Sequence, residues 1–219
     1  MNNFFATSKN LLNRLNLRSH LPNSVDCLRF DANLYKQLYS ARHFDDPNKT
    51  LEFSLGQSNP GGVGLEFGVY SGRTLKVIAK KYPGKTFGFD SFQGLPEFWR
   101  DGFPTGTFKV NEIPKIDNAL VIEGLFQDSL EPFVSSLSEE ISFIHLDADL
   151  YSSTKFVLIK LNDFIKPGCI IVFDEFMNYP GFEEHEYLAF TEWGREFRRE
   201  CLPIAFTDWH EQMSFRVIR

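Results

Sequence analysis

The chain has little that would staple, anchor or charge-bind it. Its three cysteines, Cys27, Cys169 and Cys201, are odd in number and far apart, which excludes a disulfide framework and zinc-ligand spacing and suits a reducing compartment. No stretch approaches the ~18 consecutive apolar residues of a membrane-spanning helix, and the N-terminus shows no apolar run ending in a small-residue cleavage site. A cytoplasmic protein without a membrane partner is the expectation. Cationic excess is missing as well: 23 Lys and Arg stand against 29 Asp and Glu, a net charge of -6. No basic stripe offers itself to a nucleic acid backbone or an anionic membrane surface. Internal repeats and low-complexity segments are also absent.

What is present fits one ordinary globular domain. Its 219 residues suffice to bury a full core, and 24 Phe among them read as core packing. The organising stretch is Gly64-Leu65-Glu66-Phe67-Gly68-Val69-Tyr70-Ser71-Gly72-Arg73-Thr74-Leu75, a strand, a tight loop and a helix start. Gly68 and Gly72 let the backbone turn sharply and let a ligand come close to helix N–H groups. Thr86-Phe87-Gly88-Phe89-Asp90 is a second apolar run ending on a carboxylate, placed where an α/β nucleotide site needs an acceptor for ribose hydroxyls. A dinucleotide fingerprint wants glycine two residues after Gly68, and that position is Tyr70. A cationic ligand without phosphates, such as S-adenosylmethionine (SAM), has no need of that bare backbone and would welcome Glu66.

Four pieces, in order, resemble the macrocin O-methyltransferase family of class I SAM-dependent methyltransferases. They are Leu65 to Gly72, Phe89-Asp90-Ser91-Phe92-Gln93-Gly94-Leu95-Pro96-Glu97, Gly124-Leu125-Phe126-Gln127-Asp128-Ser129-Leu130, and Leu146-Asp147-Ala148-Asp149-Leu150-Tyr151-Ser152-Ser153-Thr154. The second and fourth are specific; the glycine loop alone would be weak. The resemblance spans roughly residues 60 to 219 and implies an α/β, Rossmann-like sheet of seven strands, one antiparallel, with helices on both faces. It implies SAM as cofactor, held by Glu66, Gly68, Tyr70, Ser71, Gly72, Asp90, Ser91, Gln127, Asp128 and Asp147. Asp128 reads equally as a helix-capping residue. Metal-dependent relatives imply a divalent ion, Mg²⁺, on Asp147, Asp174 and Glu175, although Glu175 stands where such enzymes usually carry Asp. Asp147 is the expected proton acceptor, with Asp149 as its competitor, because Leu150 replaces the lysine base of catechol-type relatives. His145 reads as a core residue, His185 as a minority alternative, and His20, His43 and His210 show no partner.

Strands are expected at Leu120 to Ile122, Ile141 to Leu146, Cys169 to Phe173, Pro203 to Thr207 and Met213 to Ile218. Helices are expected over Leu75 to Tyr82, from a Ser152 or Ser153 cap to Pro167-Gly168, and over Glu183 to Arg198. Glu97 to Asp117 has no period and reads as a long loop over the site. A helical extension is expected over residues 1–60 and the catalytic domain over 61–219. In the extension, Phe4, Phe5, Leu11, Leu12 and Leu15 face away from Lys9, Arg14 and Arg18, as a lid, a homo-oligomer contact or a tail. A helix begins at Asp31 and ends at Asp45-Asp46-Pro47-Asn48. The expected reaction is methyl transfer to a hydroxyl of a small molecule, a sugar or glycosylated metabolite. A nicotinamide oxidoreductase and a noncatalytic interaction protein remain as alternatives.

Overall fold

The computed structural model describes residues 37–38 and 40–219; the expected helix face at Phe4 to Leu15 and the helix start at Asp31 lie outside them. The strands are β1 (Arg42–Phe44), β2 (Val63–Phe67), β3 (Thr86–Asp90), β4 (Ala119–Glu123), β5 (Ile141–Leu146), β6 (Ile165–Phe173), β7 (Cys201–Thr207) and β8 (Met213–Val217). They form one sheet in the order β1-β7-β8-β6-β5-β2-β3-β4. Only β8 runs antiparallel to its neighbours, β6 and β7. The reversed strand therefore comes from the C-terminal hairpin, as expected, on a Rossmann-like sheet.

The helices are α1 (Pro47–Leu55), α2 (Arg73–Lys81), α3 (Phe126–Ser136), α4 (Tyr151–Leu161) and α5 (Glu186–Glu196). Alternation along the strands sorts them onto two faces. Phe143, Ile170 and Val172 pack with Leu51 and Leu55 of α1 and Ile78 of α2. Ile144, Leu146, Ile171 and Phe173 pack with Leu130 of α3, Val157 and Leu161 of α4 and Trp193 of α5. The central strand β5 is buried at all six positions, as a strand covered on both faces must be.

Several elements differ from expectation, each for a local reason. An eighth strand, β1, pairs in parallel with β7 through three residues, too short to carry a period. The Asp45 to Asn48 stretch starts a helix instead of ending one: Asp46 accepts the Asn48 N–H at 2.8 Å and Pro47 opens α1, the positions both residue types favour. Strand β4 is an edge and not buried; Leu120 is 64% exposed. Neither Ser152 nor Ser153 caps α4, whose N-cap is Leu150; the Ser152 hydroxyl instead donates to Glu97 Oε1 at 2.6 Å. Pro167-Gly168 falls inside β6, where the pairing with β5 shifts register. A short 3-10 turn, Phe182–Glu184, precedes α5.

Candidate functional site

Hydrogen bonds continue past the strand ends and align the loops that follow. Gly68 N–H donates to Phe89 O, Asp147 N–H to Phe67 O, and Asp174 N–H to Leu146 O, at 2.8 to 2.9 Å. The carboxyl ends of β2, β3, β5 and β6 thus open into one place, a cavity of about 680 Å³. Gly68 is needed there for a reason additional to ligand approach. Its φ is +96°, and a Cβ would lie 1.7 Å from the Asp147 carbonyl oxygen, so the β2 and β5 loops can cross only over bare backbone.

Gly68, Tyr70, Asp90, Ser91, Gln127 and Asp128 line the cavity. The Asp90 carboxylate accepts the Tyr70 N–H through Oδ2 and the Phe92 N–H through Oδ1, both at 2.7 Å. Each oxygen has a further lone pair for a ligand donor. Tyr70 sits at φ +47° and stacks edge-on against Phe108, 5.6 Å between ring centroids. The α3 N-cap is Leu125, without a side-chain cap; Asp128 lies in the first turn, facing the cavity with the helix dipole in its favour. Ser71 and Gly72 do not line the cavity; Gly72 opens α2 in the left-handed conformation, against Ile116.

A group of acids lines it as well. Carboxylate oxygens of Asp147, Asp149 and Glu175 lie within 4.8 Å of one another. Asp149 has φ +58°, and Leu150 N–H bonds back to Ala148 O at 2.5 Å, a tight γ-turn that aims the Asp149 side chain where alternation alone would not fix it. Burial, followed by the charge of Asp174, pushes the carboxyl of Asp147 well up; burial and the three neighbouring aspartates do the same to Glu175. Asp149 is pushed up to about 7 by burial, against the pull of Arg100. Glu175 Oε2 is buried and without a protein partner.

Two expected carboxylates also sit elsewhere. Asp174 is not part of the acidic group: its Oδ1 accepts Gln212 Nε2 at 2.6 Å and lies 3.5 Å from His145 Nε2. It lines a separate cavity of about 20 Å³ with Asn48, Arg73 and His210. Burial works against the Asp174 charge, but the His145 contacts hold its carboxyl below the usual range. Glu66 is fully buried and meets His145 Nδ1 at 3.1 Å, its own carboxyl pushed up by that burial. Glu66 and His145 are register partners on β2 and β5, so His145 is a core residue whose two nitrogens face carboxylates. Burial would lower its pKa, but the two carboxylates beside it, Asp174 and Glu66, outweigh that and raise it to about 10. His43 also has a partner, Asp208, at 3.2 Å. His185 is half-buried, its pKa lowered by burial, with its ring 6.4 Å from Trp99; it does not line the cavity.

The unperiodic stretch between β3 and β4 does cover the cavity, through Leu95, Trp99, Arg100, Phe103 and Phe108. It is pinned to the β7–β8 turn by a two-pronged ion pair, Arg100 Nη1 and Nη2 to Glu211 Oε1 and Oε2, both 3.0 Å. The guanidinium lies 3.9 Å from the Trp99 ring centroid and 4.3 Å from that of Tyr179. Sequence reasoning missed Trp99, Arg100 and Glu211. A Trp-Arg pair inside a loop was the available signal; its partner, 111 residues on, was not visible.

A family model described as a methyltransferase domain matches residues 65–176. No curated protein sequence matches the chain. Among solved structures, CalS11, a calicheamicin methyltransferase, is 21% identical with a TM-score of 0.61, covering 95% of this chain and 91% of its own. Its apo structure, described as that of a TDP-rhamnose 3'-O-methyltransferase, gives 20% and 0.52 over 97% and 93%. The O-methyltransferase NovP is 18% identical with a TM-score of 0.58, over 79% and 80%. An O-methyltransferase from Bacillus cereus in complex with SAH gives 15% and 0.50 over 89% and 94%. At such identities the likeness concerns the fold.

Proposed function

The chain belongs to the methyltransferase-domain family, and from that premise we propose a SAM-dependent O-methyltransferase of the macrocin type. Its acceptor is a hydroxyl of a sugar or glycosylated metabolite, and a divalent ion assists. The observation that carries this reading is one cavity lined both by Asp90, with its open lone pairs, and by the carboxylate group of Asp147, Asp149 and Glu175. Asp90 would receive the ribose hydroxyls of SAM, and Gln127 and Asp128 lie where the base would contact the α3 start. Relatives of the same fold support the substrate class: CalS11 is described as acting on TDP-rhamnose. The apolar wall of Leu95, Trp99 and Phe103 suits the C–H face of a sugar ring.

The acidic group fits a hard cation: it offers only carboxylate oxygens, one of them buried and unpaired, and the three charges oppose one another. Asp147, Asp149 and Glu175 would hold the ion. When bound, such an ion lowers the pKa of a hydroxyl beside it. The chain's own contribution is positioning and proton removal. The cavity holds acceptor and methyl donor in line, and Asp147, whose burial already favours its protonated form, takes the hydroxyl proton. SAH denotes the demethylated product, S-adenosylhomocysteine. The test is transfer from methyl-labelled SAM to a panel of TDP-hexoses and hexose glycosides, with Mg²⁺ and with chelator. Labelled product in Mg²⁺ that disappears in chelator is expected; equal turnover in chelator would remove the metal from the reading, and no product from any member would remove the sugar.

A further inference from the structure

The stretch that follows β6 is held through four successive N–H groups, those of residues 174 to 177, and one of them is held differently. Asp174 N–H donates to Leu146 O at 2.8 Å, and the Phe176 and Met177 N–H groups donate to Glu211 O at 2.9 and 3.2 Å. Those acceptors are backbone carbonyls. Glu175 N–H instead donates to a side chain, Oε2 of Glu186, at 3.3 Å. Glu186 opens α5, is fully buried, and accepts the Thr154 hydroxyl of α4 through its other oxygen at 3.1 Å. Burying a carboxyl is costly unless its oxygens are bonded, and here both are, so that one side chain ties α4, α5 and the β6 loop together. The peptide it holds matters, because the two acids on either side of it have different destinations. Asp174 goes to Gln212 and His145, and Glu175 to Asp147 and Asp149. Rotation of that peptide would swing the Glu175 carboxylate away from the other two. Glu186 does not itself line the cavity, so its effect on the site passes through Glu175.

Resting on the divalent-ion part of the proposed function, we propose that Glu186 is a positioning residue, which seats the Glu175 carboxylate for the ion by holding the Glu175 N–H. Loss of such a partner behind a metal ligand typically costs about 10- to 100-fold in metal affinity. Two variants separate reach from charge. Glu186→Asp keeps a carboxyl group but draws it back by one carbon–carbon bond, about 1.5 Å, so it no longer spans from α5 to both partners. Glu186→Gln removes the ionisable group and keeps the reach. Its amide oxygen accepts the Glu175 N–H, and its NH₂ donates to the Thr154 oxygen, which can accept as well as donate. Mn²⁺ binding to the full metal-free chain is followed by electron paramagnetic resonance, with S-adenosylhomocysteine affinity and thermal unfolding as checks on cavity and fold. Glu186→Asp is expected to weaken Mn²⁺ by about tenfold or more and Glu186→Gln to hold it within about threefold, both binding S-adenosylhomocysteine as the parent does. Parental Mn²⁺ affinity in Glu186→Asp overturns the proposal, since Glu186 would then only pack α5. A tenfold loss in Glu186→Gln overturns it as well, since charge rather than reach would then act on the ion. Failure of the parent to bind Mn²⁺ brings down the metal reading and this proposal with it, whereas S-adenosylhomocysteine binding in the same sample keeps the methyl-transfer reading standing.

Discussion

Single carboxylates decide most of the chemistry, and their environments separate them. Asp90 does two jobs, because its oxygens also hold the Tyr70 and Phe92 N–H groups; alanine there would loosen the loop as well as the ligand contact. Asp90→Asn keeps one acceptor oxygen and is the cleaner variant. It is expected to weaken SAM by about tenfold or more, the loss of a charge-assisted bond, with thermal unfolding little changed; unaltered affinity by calorimetry would remove the ribose role. Asp149 and Asp174 make a second pair. Asp149→Asn is expected to abolish saturable Mn²⁺ binding, followed by electron paramagnetic resonance. Asp174→Asn should retain that binding but lose stability, on the order of 3 kcal/mol, since buried His145, whose pKa its carboxylate neighbours raise, loses one of them. Reversal of those two phenotypes would return Asp174 to the metal site. From sequence, Asp147 and Asp174 looked like partners because adjacent strand ends bring them near; which way Asp174 turns depends on His145 and Gln212, contacts that no spacing encodes.

At the scale of elements, the strand-loop-helix unit around Gly68 was legible because it is local: alternation, two glycines and a helical period all fall within a dozen residues. Gly68→Ala tests the crossing that the structure adds. A Cβ there meets the Asp147 carbonyl and the φ is left-handed, so a loss of more than about 2 kcal/mol is expected in denaturant unfolding; a variant as stable as the parent would contradict the geometry. Where sequence reading failed, the missing information was tertiary. Ser152 reads as a cap until Glu97 reaches its hydroxyl, β1 exists only because β7 is beside it, and Leu120 lies on an edge that apolar composition cannot distinguish from a buried strand. The fold class came through these errors, since the order of strands and helices from β2 onward carries it.

The whole molecule carries a net charge of -6, and burial pushes the pKa of several interior acids up. Among the described residues, no helix is long and apolar enough to cross a membrane. Asp149, Glu186 and His145 have pKa values raised to about 7, 8 and 10, burial being the first cause for the two acids. All three bind protons more tightly folded than unfolded, so their contributions are present at low pH and are lost as pH rises through those values. Metal-free protein is therefore expected to melt at a lower temperature at pH 9 than at pH 6, by more than about 3 °C, and Mg²⁺ to reduce the difference. A flat or rising Tm between those pH values would mean that the acids are not coupled as the geometry implies.

Cofactor choice remains the most direct test, because the Asp90 and Tyr70 loop separates the methyltransferase from its closest rival on a similar sheet. Purified protein is titrated calorimetrically with SAM, S-adenosylhomocysteine and NAD. Saturable binding of the first two, with no heat from NAD, is the expected result. Binding of NAD without either of the others would contradict the methyltransferase function, and silence from all three would leave a protein that keeps the fold without the activity.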